Sequence, residues 1–138
     1  PTLFSKHNGI SYGTSLVTVA EVRDGTTNTY LLGEKYVQPD AYFTGLSAGD
    51  DNGMYCGHDW DICRYTYHDP ANSQNSYRPL QDQEGVEWSM AFGSPHGSGF
   101  HMSFGDGSVR MMSYNVDLQV HAWLGNRDDG RSIDAKAF

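Results

Sequence analysis

Phe100-His-Met-Ser-Phe-Gly-Asp-Gly-Ser-Val-Arg-Met-Met-Ser-Tyr114 is the stretch whose reading decides the fold. Two alternating runs, Phe100 to Phe104 and Val109 to Tyr114, flank Asp106-Gly107. That dipeptide suits a two-residue type I′ turn, in which both central positions take φ > 0. With Gly105 opposite Ser108, alternation puts Phe104 against Val109, Met102 against Met111 and Phe100 against Ser113 on one face. This apolar face is expected inside. His101, Ser103, Arg110 and Met112 are expected on the outer face.

On the C-terminal side, Asp117 reads as the N-cap of a helix over Leu118 to Leu124. Val120, Trp123 and Leu124 recur at helical spacing, and Gly125 stands at the C′ position. On the N-terminal side, Thr29 to Val37 reads as a strand ended by Pro39, with Gly33 marking a bulge or close packing. Ile10 to Val19 alternates weakly and is expected to include a strand. Ala20 to Arg23 reads as a helical turn that stops at Asp24-Gly25. Residues 41–83 lack periodicity and read as a long loop region, with short strands expected around Asp61 to Tyr67. Trp88 and Trp123 are expected in the core. These elements predict one α+β domain over residues 1–138, mainly antiparallel sheet, with a C-terminal hairpin and a short C-terminal helix.

The composition narrows the function. A net charge of −8 with nine Lys and Arg spread along 138 residues argues against nucleic acid, which binds through clustered cations. No apolar run approaches the ~20 residues of a membrane helix, and no signal peptide opens the chain.

His96 stands ahead of Asp106-Gly107 in an H-x9-D-G spacing, followed by Ser108-Val-Arg110. Together with Val22-Arg-Asp-Gly-Thr-Thr-Asn-Thr-Tyr-Leu-Leu-Gly-Glu-Lys35 and Asn115-Val-Asp-Leu-Gln-Val-His-Ala-Trp-Leu-Gly-Asn-Arg127, it resembles a large bacterial family found mainly in planctomycetes, domain of unknown function 1559. The motif positions are Asp24, Gly25, Gly33, Glu34, His96, Asp106 and Gly107. Family members typically begin with a prepilin-type segment and are regarded as pseudopilin-like. The resemblance implies a pilin-like globular domain lacking its N-terminal helix, held outside the cytoplasm at a cell surface, in a periplasm or after secretion. Its partners would be filament subunits or the missing segment, and it would touch a membrane only through that helix. It also implies that Tyr30, Leu32, Phe100, Met102 and Phe104 would form an exposed apolar patch in the isolated chain.

Cys56 and Cys63 form a C-x6-C pair, and in an exported protein such a pair most often closes a disulfide. A reduced, buried pair is the alternative. Zinc fits less well, because a structural site takes four ligands and only one Cys pair exists, with His58 as an extra donor.

Three constellations bear on chemistry. Asp50, Asp51, Asn52, Asp59 and Asp61 crowd one turn-rich loop, and calcium takes six to eight oxygens from such loops. The spacing does not match an EF-hand, and Asp and Asn are also ordinary turn residues. No other cofactor is expected. Ser94, His96 and Asp106 have the residue types of a hydrolase, with His101 close by and His58, His68 and His121 scattered, but no G-x-S-x-G or H-E-x-x-H motif accompanies them. His96 reads better as a structural pin. Nine Tyr and three Trp include Tyr55, Trp60, Tyr65 and Tyr67 in the loop region, rings of the kind that bind sugars and proteins. The expected function is a non-enzymatic pseudopilin-like subunit. A surface-binding module for carbohydrate or a protein partner is the alternative, and a His/Asp hydrolase is a weaker one.

Overall fold

The computed structural model describes residues 8–53, 55, 57–131 and 133–134. Its strands are β1 (Tyr30–Gly33), β2 (Leu80–Gln81), β3 (Gly93–Ser94), β4 (Phe100–Phe104) and β5 (Val109–Met112), followed by the helix α1 (Leu118–Leu124). The fold is α+β. An antiparallel sheet runs in the order β1-β4-β5, and β2 and β3 form a short parallel pair. A bridge between Lys35 and Phe92 joins the two sheets.

The hairpin forms in a different register from the one read from sequence. Phe100 pairs with Met112, His101 with Met111, Met102 with Arg110 and Ser103 with Val109. The Phe104 amide donates to the Ser108 carbonyl, and the Gly107 amide donates to the Phe104 carbonyl. The loop is therefore Gly105-Asp106-Gly107. Gly107 alone takes a left-handed φ, at 84°, as a G1 bulge after a type I turn does. A one-residue slip reverses the faces of β5. Met112 is buried, while Val109 and Met111 are exposed. Arg110 turns inward beside Met102 and lays its guanidinium 4.2 Å from the centre of the Phe104 ring.

The inner face of the sheet packs Tyr30, Phe100, Met102, Phe104 and Met112 against Val116 and Leu124. Each large apolar side chain removed from water contributes about 1.5–3 kcal/mol. The expected exposed patch is thus mostly a closed core: four of its residues are buried, and Leu32 alone faces out.

Asp117 caps α1 as expected, accepting the Gln119 and Val120 amides at 2.8 and 3.1 Å. Gly125 ends the helix, but at φ −80° it is not left-handed. It is glycine because a Cβ there would overlap Thr66. Trp88 and Trp123 are half-buried rather than core.

No strand forms over residues 10–19. Thr14 takes a φ of 62°, which breaks an extended run, and Leu16 is 91% exposed. A 3₁₀ turn at Val19–Glu21 stands near the expected helical turn. The strands expected around Asp61 to Tyr67 are also missing. Isolated backbone bonds from Tyr65 to Met90 and from Tyr77 to Tyr67 take their place.

Lys35 staples the long loop. Its ammonium donates to the Gly49 carbonyl at 2.9 Å, to Asp50 at 2.5 Å and to the Asp61 carbonyl at 3.1 Å. Arg64 adds a second bond to the Gly49 carbonyl.

Candidate functional site

Glu34 follows β1 at the seam between the two sheets. Its amide donates to the His101 carbonyl on β4, and its carbonyl accepts the Gly93 amide on β3, both at 3.0 Å. This double clamp fixes where its side chain starts. The carboxylate then meets two histidines. Glu34 Oε2 accepts the His101 amide at 2.6 Å and lies 3.2 Å from His101 Nδ1, and Oε1 lies 3.5 Å from His96 Nε2. The two imidazoles stand edge to face, with centroids 5.9 Å apart. One donor atom from each of Glu34, His96 and His101 lies within 4.8 Å of the other two, which is ligand spacing for a metal ion.

The backbone around His96 is organised by two hydroxyls. Ser94 Oγ donates to the Gly99 carbonyl and accepts the His96 amide, and the Tyr114 hydroxyl meets Ser94 Oγ and reaches the carbonyls of His96 and Gly99. Asp82 is a second acid near the cluster. It accepts from the Val37 amide and the Tyr42 hydroxyl. Burial raises its carboxyl above the usual range, and the Glu34 charge pushes the same way. Burial, with the Asp82 carboxylate bonded to it, moves the Tyr42 phenol up to about 12.

The other motif positions build the frame. Gly33 has no room for a Cβ, which would overlap Met102 and Phe92. Asp24 accepts the Asp129 and Gly130 amides and so holds the chain after α1. Gly25 has a φ of 92°. Asp106 caps the Ser108 amide, its own amide donates to the Thr26 carbonyl, and Arg110 reaches the Thr27 carbonyl. The sequence blocks around Asp24, Glu34, His96, Asp106 and Arg127 therefore pack on one another.

A family model described as a protein of unknown function (DUF1559) matches residues 1–119. The chain belongs to this family. No curated protein and no solved structure matches it. Within this DUF1559 domain, Glu34 and His96 come from separate motif blocks, and their contact joins those blocks. The sequence places His101 on the outer face of the hairpin and near His96, but not beside Glu34. The signal that could have joined it to Glu34 is its place two residues into β4, opposite the end of β1.

Ser94, His96 and Asp106 are not assembled as a triad. Asp106 lies beyond the C-terminal end of β4, whereas His96 packs on His101 near the start of that strand. In the acidic loop, Asp50 binds Lys35, while Asp61 accepts the Asp51 and Asn52 amides. The Asn52 amide group reaches Asp51 and Asp59. Asn52 thus ties Asp51, Asp59 and Asp61 together by hydrogen bonds within the turn. Cys63 Sγ lies 3.1 Å from His58 Nδ1, and Cys56, the other half of the expected disulfide, lies outside the described residues. His68 bonds Ser76. His121 is buried in the core.

Proposed function

We propose that this domain is a non-enzymatic, extracytoplasmic assembly subunit of pseudopilin-like type, and that β5 is the edge through which one copy meets another. The observation that carries this reading is that β5 lies at the end of the sheet with Val109 64% and Met111 57% exposed beside Leu32 at 66% on the same outer face. Strand addition at the edge of a sheet extends its ladder while burying outward side chains. Among the described residues no helix is long and apolar enough to cross a membrane.

Sedimentation equilibrium over a wide concentration range tests the proposal. The wild-type chain should associate, and Val109→Lys with Met111→Lys should be monomeric at an unchanged melting temperature. A wild-type chain that stays monomeric throughout would sink it.

A second reading rests on Tyr55, Trp60 and Tyr67, which expose their rings in the long loop region and fit a carbohydrate-binding surface. Glycan-array retention that is lost on Trp60→Ala would favour it over assembly.

A further inference from the structure

We propose that Glu34, His96 and His101 form a binding site for a divalent transition-metal ion of the zinc type. Two imidazole nitrogens and one carboxylate oxygen are the donors that zinc favours where three protein ligands leave a fourth position open. Donors around a tetrahedral ion at ~2.0–2.2 Å stand ~3.3–3.5 Å apart. His101 Nδ1 lies 3.2 Å from Glu34 Oε2 and His96 Nε2 lies 3.5 Å from Glu34 Oε1, and one donor atom from each of the three residues lies within 4.8 Å of the other two. Side-chain rotation of Glu34 and the two imidazoles is what brings one oxygen and two nitrogens onto a common ion.

The backbone supports the same reading. Glu34 is clamped by β3 and β4, and His101 sits inside β4, so two of the three ligands rest on paired strands. Lys35, the next residue, commits its ammonium to Asp50 and to the Gly49 and Asp61 carbonyls. Asp82 adds negative charge close by. Calcium is disfavoured because two of the three donors are nitrogen. The imidazoles are about half exposed, so the open position faces solvent and is accessible to a water molecule or a donor from a neighbouring molecule. The site stands whether or not β5 pairs with another copy.

Calorimetric titration of the metal-free chain with zinc chloride at neutral pH tests this. One ion should bind per chain, and His96→Gln and His101→Gln should each weaken binding at least ~10-fold. Cys63→Ser serves as the control for the separate Cys63–His58 contact and should leave the titration unchanged. Cobalt(II) should give the visible bands of a four-coordinate centre without thiolate charge transfer. Metal-free melting curves establish that the variants fold, and if His101→Gln does not, His96→Gln decides alone. Absence of saturable binding, or binding that ignores the histidine substitutions and follows Cys63→Ser, would overturn the proposal.

Discussion

The Tyr30 hydroxyl lies 3.3 Å from Nδ1 of His121, a polar contact that ties β1 to α1 inside the apolar core. The rings of Tyr30, Phe92 and Phe100 surround the imidazole, and its Nε2 has no hydrogen-bond partner among the described residues. Burial pushes the His121 pKa down to about 3, so the folded chain holds this ring neutral. In the unfolded chain it takes up a proton near its ordinary value of about 6.5. The stability tied to the neutral ring is complete above about pH 6.5 and is lost towards pH 3, at about 1.4 kcal/mol per pH unit. Chemical denaturation along a pH series should show this slope. Tyr30→Phe with His121→Leu, which removes both polar partners together, should flatten it.

Gly107 has a φ of 84° and open space where a Cβ would stand. Substitution there therefore tests backbone conformation rather than packing. Gly107→Val should cost about 1–2 kcal/mol, and Gly107→Asn less, because Asn visits the left-handed region more readily. Equal melting temperatures for the three proteins would contradict the G1 bulge.

Gly33 presents the opposite case, an ordinary φ with no space. Gly33→Ala would push Met102 and Phe92 within a filled core, at a cost of about 1–3 kcal/mol. Gly33→Ala with Met102→Ala should recover part of the loss, a coupling that a double-mutant cycle measures.

Lys35→Met keeps the aliphatic stem and removes three charge-assisted bonds to the loop. Hydrogen exchange should speed up around residues 49–61 while amides of β4 and β5 keep their protection. Uniform acceleration across the chain would show that the staple supports the whole fold rather than the loop.

The elements near the C-terminus were legible because local chemistry fixes them. The Asp117 side chain and the following apolar spacing specify α1, and Gly105-Asp106-Gly107 specifies a hairpin. The register was not legible from Asp106-Gly107 alone. A two-residue turn and a three-residue loop both place Gly107 at positive φ, and only the latter sends Met112 inward. The weak alternation of Ile10 to Val19 misled for a different reason: the left-handed backbone at Thr14 interrupts the run, which alternation alone does not reveal. For the site, Glu34 and His96 were marked by their motifs. Their meeting with His101 depends on the bridge between Lys35 and Phe92 and on the pairing of β1 with β4, which are tertiary facts.

Glu34 and Lys35 are consecutive residues in an extended segment, and they point in opposite directions. One carries the carboxylate between the two histidines and the other anchors the long loop. A single peptide unit thus acts as a lever with a load on each arm. One residue step therefore separates the carboxylate that meets the histidines from the ammonium that fastens Gly49, Asp50 and Asp61.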